Sequence, residues 1–247
     1  MENPFAEFTE EGYVKHLKSA KSKYAFLSFN DALENKPGIL WRHDIDASVH
    51  RAVKLAKLEH ELGIFSTYFI YLHCMFYNVL EKEISQLISE ISSLGHNIGL
   101  HFDPSYYDLT TEETERLKEC VQKDKDILEN TINIKASAIS FHNPDASGNW
   151  LSVSMDKICG LPSAYAPAIQ QNYVYCSDSN GYWRFKPLGD VLNENHLKLH
   201  VLTHPAIWAP EPISPRARTE RCVDGRAEYV MRRYDEILES LGRVNLR

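Results

Sequence analysis

Between Ile39 and His142 the chain repeats one pattern: a short apolar run, then a stretch whose apolar residues recur at the helical period. ILWRHD (39–44) has strand length, and Ser48 is placed to cap a helix carrying Val49, Ala52, Val53, Ala56 and Leu62 until Gly63 stops it. STYFIYL (66–72), rich in aromatic and β-branched residues, predicts a second strand. Leu80, Ile84, Leu87, Ile88 and Ile91 mark one face of a second helix closed by Gly95, and HNIGLH (96–101) predicts a third strand. Thr110 and Glu113 have capping-box spacing for a helix with Leu117, Val121 and Leu128, and KASAISFH (135–142) follows as a fourth strand. Strict strand-helix-strand alternation implies parallel strands joined by right-handed crossovers, which leaves few topologies open.

Beyond residue 142 the pattern weakens. Short strands are expected near 163–166, 173–177 and 197–203, then a C-terminal helix from about Arg226 to Leu241. Residues 1–37 are expected to hold one amphipathic helix, around Glu11 to Ala20, lying against the rest. At 247 residues the whole chain suits a single α/β barrel domain, a class that commonly folds as one unit at roughly 200 to 250 residues.

Composition removes several function classes. A net charge of -7 argues against a nucleic-acid surface, which needs clustered Lys and Arg. The one basic cluster, Arg216, Arg218 and Arg221, is interrupted by Glu220 and reads as a solvated face. No apolar run approaches the ~20 residues of a membrane span, and the acidic start MENPFAEFTE does not resemble a secretory signal, so a soluble cytoplasmic protein is expected. Five scattered cysteines without CxxC spacing indicate neither disulfides nor a thiolate zinc site.

The polar residues fall where a barrel would use them. Asp44 and Asp46, His101 and Asp103, His142, and His204 all lie at the C-terminal ends of expected strands, and in a parallel α/β barrel those ends converge on one face. Asp44 and Asp46 alternate along a strand and share a side, and two close carboxylates suit a metal ligand beside a general base. His101, His142 and His204 each have a bland reading, a strand-end imidazole bonded to a neighbouring carbonyl. Three of them after three separate strands favour a shared site that holds one divalent metal ion, zinc being expected. His96, five residues before His101, faces the other way and reads as structural.

RHDID, ELGIFSTYFI, GHNIGLH, SFHNP and VLTHP occur here in the order found in the polysaccharide deacetylase superfamily, the NodB-homology fold, which residues 38–208 resemble. The resemblance implies a distorted (β/α)7 barrel that hydrolyses an N-acyl group, usually acetyl on an amino sugar, with a divalent metal held by Asp and His. By that resemblance Asp44 is the general base, Asp46 and His101 are metal ligands, and His204 protonates the leaving amine. Two positions depart from the pattern: Ser105 stands where a second metal histidine is usual, and His142 where an arginine is usual. His142 is therefore expected as the third ligand with Asp103 in reserve, or else as the group that orients Asp44. In YCSDSNGYWR, Asp178, Trp183 and Arg184 match a segment lining the family's pocket. Arg184 is expected to pair with Asp44 or Asp178, to grip an anionic substrate group, or to form a surface ion pair. Tyr77 and Asn78 follow the second strand and are expected either to reach substrate or to pack at the barrel mouth.

The expected substrate is an acylated amino sugar on a nucleotide or lipid carrier in surface-polysaccharide synthesis. Hydrolysis of cyclic amides or ureides is the enzymatic alternative. A catalytically inactive sugar-binding barrel is the rival of a different class, and Ser105 is its best support.

Overall fold

A computed structural model of the chain describes residues 5–145, 148–183 and 185–246. Helix α1 (Glu10–Lys21) is capped by Thr9 and buries Tyr13, Leu17 and Ala20, close to the expected span. A second short helix, α2 (Phe29–Leu33), was not foreseen; Ser28 and Asp31 cap it reciprocally. The repeating units follow as β1 (Gly38–Ile45), α3 (Val49–Glu61), β2 (Thr67–Tyr71), α4 (Lys82–Ser93), β3 (Asn97–Phe102), α5 (Thr114–Ile132) and β4 (Ile139–Phe141). Thr110 and Glu113 do bond each other, at 2.8 and 3.0 Å, but α5 begins only at Thr114. The expected capping box is thus a turn lock ahead of the helix.

The second half holds a small antiparallel pair, β5 (Lys157–Ile158) with β6 (Leu161–Pro162), then α6 (Pro167–Asn172), β7 (Val174–Ser177), α7 (Leu188–Asn193), β8 (Lys198–Thr203) and α8 (Pro215–Ser240). Helix α8 starts eleven residues before the expected Arg226, because Ser214 caps it and Pro215 occupies the first turn, where a missing N–H costs nothing.

Six strands form one parallel sheet in the order β4-β3-β2-β1-β8-β7. On the outer edge of β4, Ser163 makes a single parallel bridge to Ile139, and Ala164 N donates to Ile139 O at 2.8 Å. That segment is a seventh stave reduced to one bridge, so the barrel has seven staves, and the fold is the expected distorted (β/α)7 barrel.

Helices α3, α4 and α5 pack their apolar faces onto β1–β4, burying Val49, Ile84, Ile88, Val121 and Leu128 in one cluster with Tyr68 and Leu100. A second apolar cluster joins Tyr13 and Leu17 of α1 to Trp41, Val201 and Trp208, so the N-terminal segment is part of the packed body. Gly99 leaves room for the Phe69 ring, whose atoms would lie 2.6 Å from a Cβ there. Burial of this apolar surface stabilises the barrel at roughly 25 cal/mol per Å². It also fixes which way each strand's alternate side chains point.

Candidate active site

Strand β1 is buried along both faces, so period-two alternation sorts its polar residues. Arg42, Asp44 and Asp46 share the inner face, while His43 points outward to Glu59 at 2.7 Å. At the C-terminal ends of the neighbouring strands lie His101 on β3, Asp103 just after it, His142 after β4, Asp178 after β7 and His204 after β8. The parallel register carries these five onto one rim beside Asp44 and Asp46, which is the convergence expected of a barrel.

Asp46 is the centre of the cluster. One carboxylate oxygen lies 3.2 Å from His101 Nε2 and the other 3.7 Å from His204 Nε2, while Asp44 Oδ2 lies 3.9 Å from His101 Nε2. Donor atoms of Asp46, His101 and His142 all fall within 4.8 Å of one another. Asp44 Oδ1, Asp46 Oδ1 and His101 Nδ1 are buried without a hydrogen-bond partner, the 3.2 Å approach to His101 being out of line for one. Burial disfavours the Asp46 carboxylate, but His101 and then the more distant His204 and His142 outweigh it and hold its pKa at about 2.

His142 and Asp103 take different parts in this arrangement. His142 lies tilted on the Tyr71 ring at 4.3 Å, with Nδ1 3.6 Å from Asp103 Oδ2. The Asp103 carboxylate accepts from Tyr71 Oη at 2.6 Å and from Ser105 N and Oγ at 2.9 and 2.6 Å. Its oxygens are thereby engaged behind the imidazole, so the converging donor group includes His142 and not Asp103. Ser105 is turned to Asp103 and contributes nothing to the cluster.

On the opposite side, His204 Nδ1 lies 2.7 Å from Asp178 Oδ1. Asp178 is wholly buried and also accepts from His204 N at 3.1 Å and Trp208 Nε1 at 2.8 Å. This fixes the ring so that Nε2 faces Asp46. Burial opposes the His204 cation, yet Asp178 first and Asp46 and Asp44 after it raise its pKa to about 9.

Other expected site residues lie elsewhere. Tyr77 is buried, donating to Ile45 O at 2.8 Å and accepting from Tyr71 N at 3.0 Å. It braces the end of β2. Asn78 is exposed and its side chain bonds Leu80 N. Trp183 donates to Glu7 at 2.7 Å and packs on Phe8 and Trp208, away from the rim. Asp178 acts through His204 and has no exposed surface to offer a ligand. Arg184 lies outside the described residues.

Sequence reasoning missed Arg42. Its guanidinium is buried between the rings of Phe69 and Tyr165 at 5.6 and 5.1 Å. It donates to Ser140 Oγ at 3.0 Å and Tyr165 Oη at 3.1 Å and lies 3.5 Å from Asp44 Oδ2, to which Ser140 Oγ also donates at 3.3 Å. Arg42 thus does from β1 what His142 was one candidate to do. The available signal was position: two residues before Asp44 on an alternating strand is the same face.

The cluster opens into a cavity of about 610 Å³ with Phe141, Tyr165, Tyr173, Tyr175, Tyr182 and Phe185 in its walls. Sequence reasoning named none of these six. A larger hollow of about 1010 Å³ on the outer side of α5 is lined by Lys118, Gln122 and Asp126 and lies away from these side chains.

No protein-family profile matches this chain, and no curated protein matches it. Among solved structures the chain is similar to a family 4 carbohydrate esterase from Bacillus anthracis, at 14% identity over 87% of this chain and 86% of that one, with a TM-score of 0.45. It is similar to the catalytic domain of peptidoglycan N-acetylglucosamine deacetylase from Eubacterium rectale, at 16% identity over 77% and 84%, with a TM-score of 0.41. A third is a CE4 family pseudoenzyme from Bacillus anthracis, at 14% identity over 79% and 62%, with a TM-score of 0.42, so the chain spans less than two thirds of that protein's length.

Proposed function

We propose that this chain is a metal-dependent hydrolase that removes an N-acyl group, acetyl in the simplest case, from an amino sugar. The observation that carries the proposal is one arrangement: an orphaned donor group of Asp46, His101 and His142, flanked by Asp44 against Arg42 on one side and His204 against Asp178 on the other.

The donor group suits a divalent ion of the zinc class. One carboxylate and two imidazoles make a usual three-ligand set that leaves a position open, and buried polar atoms ordinarily have partners, so the orphaned Asp46 Oδ1 is what a ligand atom looks like without its ion. Asp103 behind His142 supplies the outer acceptor that keeps a ligating imidazole in place, whereas His101 Nδ1 lacks one. An ion bound there supplies Lewis acidity toward the acyl carbonyl and the oxyanion formed from it.

The remaining chemistry belongs to the side chains. Asp44 accepts a proton from water as the water oxygen bonds to the acyl carbon, and Arg42 holds that carboxylate in place. His204 gives the proton on Nε2 to the amine nitrogen as the carbon–nitrogen bond breaks, leaving a carboxylate and a free amine. Asp178 keeps the imidazole charged and turned toward the cluster. The aromatic cavity accommodates a sugar ring against its faces and keeps water from the reacting centre.

The proposed substrate carries its amino sugar on a nucleotide or lipid, as in surface-polysaccharide synthesis in the cytoplasm. Among the described residues no helix is long and apolar enough to cross a membrane. Acetate release from nucleotide-linked N-acetyl sugars, run beside a panel of cyclic imides, is the test. Release from the sugars alone supports the proposal, and turnover of the imides alone replaces it with the cyclic-amide alternative. An inactive barrel, favoured by the turned-away Ser105, predicts sugar binding with neither turnover.

A further inference from the structure

A second lobe of about 460 Å³ opens from the same cluster on the other side of His204, sharing Asp44, Asp46 and Asn143 with the aromatic cavity. Its far wall is the first turns of α8, where Pro215, Arg216, Arg218, Thr219 and Cys222 recur at the helical spacing. The basic cluster expected to be a solvated face is therefore divided. Arg216 is exposed and bonds Glu220 at 2.8 Å, while Arg218 is only 3% exposed.

Arg218 is anchored at one end only. Nη1 donates to Gly181 O at 3.0 Å, and the guanidinium lies over the rings of Phe8 and Phe5 at 5.0 and 5.6 Å. Gly181 permits the approach, because a Cβ there would sit 2.7 Å from Nη1. Nε and Nη2 are buried and have no hydrogen-bond partner. These two nitrogens form one edge of the guanidinium, the fork that binds carboxylate or phosphate in bidentate fashion. Among the described residues no carboxylate pairs with it. Asp178, the acid whose field reaches it, is engaged by His204 and Trp208, and Arg221 repels it. Burying an unpaired cation is costly unless a partner arrives, and the N-terminal end of a 26-residue helix adds its own attraction for an anion.

We propose that this lobe is an oxyanion subsite in which the Nε–Nη2 edge of Arg218, at the start of α8, binds a phosphate or carboxylate borne by the substrate next to its acylated part. The substrate's anionic group, a carrier phosphate or a carboxylate on the sugar itself, is then held beside the acylated part. That last step rests on the hydrolase proposal, but the anion site itself does not.

Inorganic phosphate tests the site without any turnover, by calorimetric titration of the metal-loaded protein, of His101→Ala, of Arg218→Gln and of Thr219→Asp. Thr219→Asp places a carboxylate in the lobe wall at an exposed position and leaves the packing of Arg218 intact. Phosphate is expected to bind the parent and His101→Ala alike and to bind both other variants at least about tenfold more weakly, the loss of one charge-assisted contact. Should Arg218→Gln fail to fold, Thr219→Asp decides. No binding to the parent, or equal binding to Thr219→Asp, overturns the subsite. Loss in His101→Ala alone does so too, because the phosphate is then at the metal group.

The same titration with N-acetylglucosamine 1-phosphate, glucuronate and neutral N-acetylglucosamine separates phosphate from carboxylate as the source. If phosphate binds as expected but no sugar does, the hydrolase proposal fails while the anion site stands.

Discussion

The two faces of β1 both carry buried charge, and they are finished differently. On the outer face, Glu59 accepts from Tyr13, from Ser66 Oγ at 2.7 Å and from Tyr68 Oη at 2.9 Å, and meets His43 Nε2 at 2.7 Å. His43 reaches Thr203 with its other nitrogen, and His96 is held by Ser66 and by Ala56 O at 2.9 Å. Each of these groups has a partner. On the inner face, one bond from Ser140 and an ion pair with Arg42 steady Asp44, and Asp44 Oδ1, Asp46 Oδ1 and His101 Nδ1 have no hydrogen bond. Buried polar groups are normally satisfied, so a saturated network describes scaffold, and an unsaturated one a few ångströms away describes a place kept open for something else.

Mutations should therefore separate the faces. The largest effect is expected from Asp44→Asn: acetate release should fall about 10²- to 10⁴-fold, the range for general acid-base catalysis, with the melting temperature little changed. His204→Ala should behave the same way. If either variant loses its fold rather than its rate, the inner face is structural and the contrast collapses.

The outer face should give the opposite outcome. Glu59→Ala leaves His43, His96, Tyr13 and Tyr68 around a missing acceptor and should destabilise the protein by about 3 to 5 kcal/mol, read from chemical denaturation, with activity per folded molecule retained. Burial raises the Glu59 pKa, but His43 first and then His96 and Ser66 bring it to about 2. A carboxylate depressed in the folded state stabilises above its unfolded value of about 4.3 and loses that stability as pH falls toward 2. Acid unfolding should accordingly steepen over that window in the parent and flatten in Glu59→Gln.

A smaller effect sharpens the assignment of His204. Against the cost of burial, Asp178 first, then Asp46 and Asp44, raise its pKa to about 9 before any ion binds, so as the proposed general acid it keeps its proton through neutrality, and the alkaline limb of the rate profile should lie above the 6.5 of a free histidine. By linkage the charged His204 stabilises the fold fully below 6.5, and that contribution is lost as pH rises through 9. Asp178→Asn removes the nearest carboxylate and should move the limb to lower pH. An unmoved limb would assign it to another group.

Much of this was legible in the sequence, for physical reasons. The first four strands and their helices follow from hydrophobic period alone, and the convergence of Asp44, Asp46, His101, His142 and His204 follows from parallel topology. What escaped detection depends on direction within a residue's surroundings. Trp183 turns to Glu7 while its neighbours Tyr182 and Phe185 face the cavity, just past a turn in which Asn180 and Gly181 have positive φ. Arg218 looked solvated because its neighbours Arg216 and Glu220 are, and its burial is set by Phe5, Phe8 and Gly181, far away in sequence. The stave at Ser163 was placed correctly as a region but keeps one bridge only, which composition does not encode.

The central claim is that the unsatisfied inner group holds an ion, and elemental analysis tests it most directly. Protein purified without chelator should carry about one equivalent of a divalent metal, and His101→Ala, prepared identically and folded by circular dichroism, should have lost it. Metal absent from the parent, or present equally in both, would contradict the account.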